Sequence, residues 1–401
     1  METSQKTNKN SRKRHLSDFG QVVLVFQGGG ALGAYQAGVY EAMYQTAGLH
    51  GPLNWVAGIS IGAINAALIA GNPPERRVPR LREFWERVSS SQATPNYAPI
   101  NFGRDLLNDA SANHSVVFGV PGFFAPRMPP APFQPSGTPG AISYYDTEPL
   151  RRTLEELVDF KLLNSGAVRL SVGAVNVRTG NFAYFDTAHH HLDARHVMAS
   201  GALPPGFAPV EIDGEHYWDG GIVSNTPLQY VLDQPGKKRR VVFQVDLFAA
   251  RGALPATLAE VAEREKDIRF SSRTRLNTTN QLDRQVIAQA AQRLLKKLPA
   301  SLRDDPDVRA LSKVRCEAAV DVVHLIYRSK HYEGQSKDYE FSRLSMNEHW
   351  ATGRADMSHT LHDPRWLNHR RSNHGVHVFD LTSDSPTDRE QTSPAARDPL
   401  A

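Results

Sequence analysis

The chain has 401 residues, 40% hydrophobic and 22% charged. That is ordinary globular usage and excludes a fibrous or wholly disordered chain. Lys and Arg together exceed Asp and Glu by only four, with no long basic block, so nucleic acid is not implied, while peripheral contact with an anionic membrane surface stays compatible.

Residues 1–20 are polar and basic and read as a disordered tail. The apolar run behind them, 22–26, is too short for a signal peptide core and ends in three glycines. No stretch reaches the ~18 apolar residues a membrane span needs. A strand is predicted over 21–27, a helix over about 34–46, a strand over 54–60 and a helix over 61–71. Between residues 21 and 74 the one charged side chain is Glu41, so this unit belongs at the centre of a parallel sheet covered on both faces. An amphipathic surface helix follows at 74–88. Residues 90–146 read as irregular. Seven prolines lie from Pro121 to Pro139, interspersed with Phe123, Phe124, Met128 and Phe133. Such a segment is either a lid or lip that meets lipid or a loop packed on its own domain.

Regular structure resumes with a helix at 147–158, strands at 168–177 and 181–186, a short helix at 193–201 and a strand pair near 210–218. A buried strand is expected at 239–248 and a helical stretch at 256–313. Within it, Val286, Ile287, Ala290, Leu294 and Leu298 recur at helical spacing, with Arg284, Arg293, Lys296 and Lys297 elsewhere; such a basic amphipathic helix can lie on an anionic membrane, and the expectation here is that its apolar face packs on the core. Cys316 is the single cysteine; no intrachain disulfide can form, which fits a reducing compartment. A last strand is predicted at 320–328. After about 380 the chain turns to Ser, Asp, Pro and Thr and reads as a disordered tail.

Three motifs carry chemistry. GGGALG, 28–33, follows the first strand and opens a helix. It matches the dinucleotide pattern G-x-G-x-x-G, which also requires an acidic residue about 20 positions on. No Asp or Glu occurs from Ala42 to Pro74, so the dinucleotide reading fails. Glycines that converge backbone N–H groups at a helix start suit an acyl-transfer oxyanion equally well; the plain alternative is a tight turn without a ligand. GISIG, 58–62, fits G-x-S-x-G between an apolar strand and a helical run, as a nucleophile elbow requires. Gly58 and Gly62 would relieve crowding around Ser60; the plain alternative is a packing turn with an incidental serine. A serine nucleophile needs a base. Of 16 histidines the conspicuous three, His189, His190 and His191, read as a solvated loop cluster. WDGG sets Asp219 before Gly220 and Gly221. A carboxylate can be the base if desolvation lifts its pKa, although Asp-Gly is also a common turn.

GGGALG, GISIG and DGG, in that order and with ASGALPPGFAPV at 199–210, resemble the signature of the patatin-like phospholipases, a family of lipid acyl hydrolases. The resemblance covers about residues 21–248. It implies an α/β, three-layer fold whose mostly parallel central sheet is flanked by helices. It implies Ser60 as nucleophile, Asp219 as base in a dyad without histidine, oxyanion donors from Gly28, Gly29, Gly30 and Gly33, and neither metal nor organic cofactor. Many members carry Arg or Lys where this chain has Leu32. The segment 332–353 resembles a C-terminal extension of a bacterial subgroup. The expected organisation is a tail (1–20), a catalytic domain (21–248, with the Pro-rich insertion at about 90–146), a mainly helical extension packed on it (249–380) and a second tail (381–401). The expected substrate is a lipid or acyl ester, and the expected setting is cytoplasmic, including the membrane periphery. Neither the particular ester nor the oligomeric state has a sequence signal. Two other readings stand beside this one: a lipid- or acyl-binding protein without turnover, and an α/β-hydrolase with a Ser–Asp–His triad built on His324 or His349. The second lacks the usual histidine ahead of its glycine run, where Gln27 stands.

Overall fold

The computed structural model describes residues 20–46, 53–89, 104–234, 239–299, 302, 305–312, 319–330, 332–367 and 376–381. The two expected tails lie outside these residues, apart from Gly20 and Leu381. The chain opens with β1 (Gln21–Phe26), a 3-10 turn at Gly30–Leu32, α1 (Gly33–Thr46), β2 (Leu53–Ile59), α2 (Ile61–Ala70) and α3 (Pro74–Val88). It continues with α4 (Arg104–Phe118), the short pair β3 (Ala125–Pro126) and β4 (Tyr145–Asp146), α5 (Glu148–Leu157), α6 (Phe160–Leu163), β5 (Arg169–Asn176) and β6 (Phe182–Asp186). Next come α7 (Ala194–Ser200), β7 (Val210–Ile212), β8 (Glu215–Asp219), α8 (Leu228–Asp233) and β9 (Arg240–Asp246). The C-terminal part holds α9 (Leu258–Phe270), α10 (Thr274–Leu295), α11 (Pro306–Ser312), β10 (Val320–Ile326), α12 (Arg343–His362), α13 (Pro364–Leu367) and β11 (Val376–Asp380).

One sheet runs in the order β11-β10-β9-β1-β2-β5-β8-β7, with β6 also paired to β5. From β11 to β5 the strands are parallel; β6, β8 and β7 are antiparallel to their neighbours. Alternate residues of β1 serve two cores, Val22, Leu24 and Phe26 on one face and Val23 and Val25 on the other. That is why the strand reads as unbroken apolar sequence. Helices cover both faces, so the expected α/β architecture with a mostly parallel sheet is the observed one.

The register of β5 positions the site. Along one edge β5 pairs with β6. Along the other it pairs first with β2, up to Ile59 opposite Gly173, and then with β8, from Asp219 opposite Ala174. The ends of β2 and β8 thus occupy consecutive places on one strand, and Ser60 and Asp219 arrive side by side. The C-terminal part continues the same structure. Strand β10 pairs with β9, and β11 with β10. Helix α12 lies directly on α1: a Cβ on Gly38 would sit 2.0 Å from the Trp350 carbonyl oxygen, and one on Gly353 2.0 Å from that of Tyr35. Trp350 Nε1 donates to Glu41 at 2.5 Å, which accounts for the lone acid of the N-terminal unit.

Two expectations are corrected. The insertion is not irregular throughout, because α4 occupies 104–118, ahead of the first proline of the cluster; proline ends helices but does not reach back to forbid one. The apolar stripe of α10 does not face the core. Val286 and Ile287 are more than 60% exposed, Ala290 and Leu294 are exposed too, and the buried side is instead Ala288 and Ala291. Among the described residues no helix is long and apolar enough to cross a membrane.

Candidate active site

Ser60 stands on the turn between β2 and α2 with φ 55° and ψ −124°, a backbone region that costs an ordinary residue about 1–3 kcal/mol. Close backbone packing imposes this turn. A Cβ on Gly58 would come 2.3 Å from the Gly62 carbonyl oxygen, and one on Gly62 2.6 Å from that of Phe26. The Ser60 amide donates to Ser200 Oγ at 3.0 Å, and buried Ser200 in turn donates to the Gly173 carbonyl at 2.6 Å. Strand β5 thereby holds the elbow from behind.

Asp219 ends β8, is buried, and accepts a 2.7 Å hydrogen bond from the Gly221 amide. Burial pushes its carboxyl up to about 6, against the opposing effects of hydrogen bonding to the Ser60 hydroxyl and the Gly221 amide. Gly220 packs on β5, where a Cβ would meet the Gly173 carbonyl oxygen at 2.6 Å.

The glycine turn lies against both. A Cβ on Gly28 would be 3.1 Å from Ser60 Cβ and 2.4 Å from Asn225 Oδ1. Its four glycines differ in what their amides do. Gly28 donates to the Asn225 carbonyl at 3.2 Å, and Gly33 donates back into the 3-10 turn. Among the described residues the amides of Gly29 and Gly30 have no acceptor. Gly33 packs on Ile61 and Trp85 and does not line the cavity. Leu32 is fully buried in the core.

Ser60, Asp219, Gly28, Gly29 and Gly30 line one cavity of about 300 Å³. Its walls are mainly aromatic: Phe123, Phe124 and Tyr145 from the insertion, Phe207 from the loop after α7, and Phe270 and Phe341 from the C-terminal part. Its edge is apolar and wet: Val116 and Leu203 line it and are 48% and 41% exposed. Among the described residues no histidine lines it. His324 Nε2 contacts Asp246 at 2.5 Å and His349 Nε2 contacts Glu333 at 2.8 Å, so neither completes a triad with Ser60. No group of three or more His, Cys, Asp or Glu among the described residues is placed to hold a metal ion.

A family model described as patatin-like phospholipase matches residues 24–232, more than half of the chain. The chain belongs to the patatin-like phospholipase family. That places it among lipid hydrolases. A second model, described as patatin phospholipase, matches residues 268–373 of this patatin-like chain. No curated protein matches it. Among solved structures it is similar to VipD from Legionella pneumophila, at 15% identity over 90% of this chain and 71% of that one, with a TM-score of 0.35. It is also similar to the type III effector protein ExoU, at 14% identity over 85% of this chain and 52% of that one, TM-score 0.32. A complex of ExoU with SpcU from Pseudomonas aeruginosa matches at 15% identity over 73% of this chain and 60% of that one, TM-score 0.27.

Several residues around the patatin-like site escaped the motifs. Asn225 Nδ2 donates to the carbonyls of Gly28 and Phe270 at 2.9 and 3.0 Å. Gln27 Oε1 accepts from the amides of Leu247 and Phe248 at 2.6 and 2.9 Å. The Asp338 carbonyl accepts the Ala31 amide at 2.8 Å. Ser200 lies within the 199–210 stretch, and Asn225 stands four residues past Gly221 of the Asp219 turn. Phe270 and Asp338 sit far along the chain, where no local pattern announces a contact with residue 27 or 31.

Proposed function

We propose that this protein is a serine carboxylic-ester hydrolase acting on lipid acyl esters through a Ser60–Asp219 dyad. The observation that carries this reading is a buried carboxyl, raised toward neutrality, beside a strained serine on the wall of an apolar cavity. Such a carboxylate is a useful base near neutral pH. As Ser60 Oγ bonds to the ester carbonyl carbon, its proton passes to Asp219. The carbonyl oxygen becomes an oxyanion, stabilised by the Gly29 and Gly30 amides at the start of a helical turn. When the C–O bond to the alcohol breaks, the proton on Asp219 goes to the leaving oxygen. Water then gives a proton to Asp219 and attacks the acyl-serine. The fatty acid leaves, and the proton returns to Ser60 Oγ.

The cavity edge supports contact with a lipid surface. Beside Val116, exposed Val117 and Phe118 end α4, and Ile222 and Val223 follow the Asp219 turn. Exposed apolar side chains of this kind suit interfacial docking.

A fluorophosphonate probe tests the dyad. Wild type should label at Ser60, Ser60→Ala should not label, and Asp219→Asn should label and hydrolyse esters at least about a thousandfold more slowly. Well-folded wild type that neither labels nor hydrolyses any acyl ester would leave a lipid-binding protein in place of an enzyme.

A further inference from the structure

Resting on the hydrolase reading above, we propose that the cavity is an anion filter, set by the Asp338–Lys266 pair, that selects uncharged acyl esters such as glycerides over esters bearing a phosphate. Two of the residues lining the cavity are acidic, Asp219 and Asp338, and among the described residues none is Lys, Arg or His. Glycerol ties a phospholipid phosphate within a few bonds of the scissile ester. A phosphate brought there loses water and finds no cationic partner, and an unpaired charge in such surroundings is strongly disfavoured.

Two cations that adjoin lining residues make other contacts. Arg127, whose amide donates to the carbonyl of Tyr144 beside the lining residue Tyr145, donates through Nε to Ser143 Oγ at 2.9 Å. Lys266 of α9 is held behind the wall: its ammonium pairs with Asp338 Oδ1, donates to the Gln335 carbonyl at 2.8 Å and lies 5.2 Å from the Tyr339 ring centroid. Asp338 is placed firmly, because its backbone carbonyl accepts the Ala31 amide and its neighbour Lys337 is buried against Asp267 and Glu263 at 2.7 and 3.0 Å. Asp338 thus lines the cavity while its counter-ion, Lys266, does not.

The pair allows a test with opposite signs. Asp338→Asn keeps the backbone contact to Ala31 and leaves the Lys266 charge uncompensated beside the wall. Lys266→Gln leaves the Asp338 charge uncompensated. The measurement is kcat/KM for monodecanoylglycerol and for the matching decanoyl lysophosphatidylglycerol, both in neutral detergent micelles at physiological salt to screen the net charge. Wild type should favour the uncharged ester. Its neutral-to-anionic ratio should fall about five- to tenfold in Asp338→Asn and rise by a similar factor in Lys266→Gln, as expected for one charge within several ångströms at intermediate dielectric. A merely structural role would lower turnover of both esters and leave the ratio in place. Wild type that hydrolyses the anionic ester as fast or faster overturns the filter while leaving the hydrolase intact, as do two variants that move the ratio the same way. Wild type that cleaves neither ester and is not labelled by fluorophosphonate removes both.

Discussion

Asp219 is where activity and stability oppose each other. Its carboxyl is raised to about 6 because burial disfavours the charged form. A base that must be ionised to accept the Ser60 proton gives kcat/KM an acid limb with an apparent pKa near 6, and Asp219→Asn should abolish that limb together with turnover. The stability consequence has the opposite sense. The folded protein holds this proton more tightly than the unfolded chain does. The preference stabilises the fold fully below about pH 4 and is lost as pH rises through 6, at a cost of roughly 3 kcal/mol. Asp219→Asn, which has no charge to bury, should therefore gain in melting temperature relative to wild type progressively from about pH 4 to about pH 6, and by a constant margin above that. A melting difference flat across that range would mean that Asp219 is not the group titrating. The strain at Ser60 and the buried carboxylate both lie where the chemistry needs them, and both were legible as types: a serine between glycines, an aspartate before two. The residues that hold them were not. Ser200 and Asn225 are small polar side chains whose importance comes from which carbonyl or amide they meet, and that is a property of the folded register.

At the level of elements, periodicity located helices better than it located their surroundings. The stripe on α10 has sound helical spacing, yet spacing states only which residues share a side, and here that side is exposed. Proline content overshadowed α4 in the same way. This helix ends at Phe118, 67% exposed, next to Val116 on the cavity edge, while Tyr145 Oη donates to the Val116 carbonyl and ties the edge to the wall. Val117 and Phe118 do not line the cavity, so their exposure serves no soluble substrate. Replacing both with Ser should lower turnover of glyceride in vesicles about tenfold, from the ~1.5–3 kcal/mol that each buried large apolar side chain contributes, discounted for partial insertion. Hydrolysis of a short water-soluble ester should stay within about twofold. Equal losses on both substrates would place α4 in folding or in the cavity rather than at the lipid surface.

At the scale of the molecule, the parallel sheet was readable from apolar strands alternating with helices, because β1 and β2 are buried on both faces and must look alike. What the sequence pattern did not disclose is how far the C-terminal part enters the site. Strands β10 and β11 extend the sheet beyond β9, α12 crosses α1 at two glycines, the Phe270 carbonyl accepts from Gln27 and Asn225, and the Asp338 carbonyl accepts from Ala31 in the glycine turn. The contacts of α12 with α1, of Phe270 with Gln27 and of Asp338 with Ala31 join residues more than two hundred positions apart, and no local periodicity encodes them. They also make the two regions mutually dependent. A chain ending after Phe248 would expose the edge of β9, a ready template for misassociation, and strip the Ala31 amide of its acceptor and Asn225 of one of its two. It should be insoluble or, if soluble, inert to fluorophosphonate. Trp350→Ala is the gentler test. It removes a side chain that is 2% exposed, bonded to Glu41 and covered by Arg82 at 3.7 Å, at an expected cost of about 3–5 kcal/mol. If the extension is part of one cooperative structure, Ser60 labelling in this variant should disappear at the lowered temperature at which the whole fold melts, in a single transition. Labelling that outlasts the loss of α12 would show instead that the catalytic region holds its geometry alone.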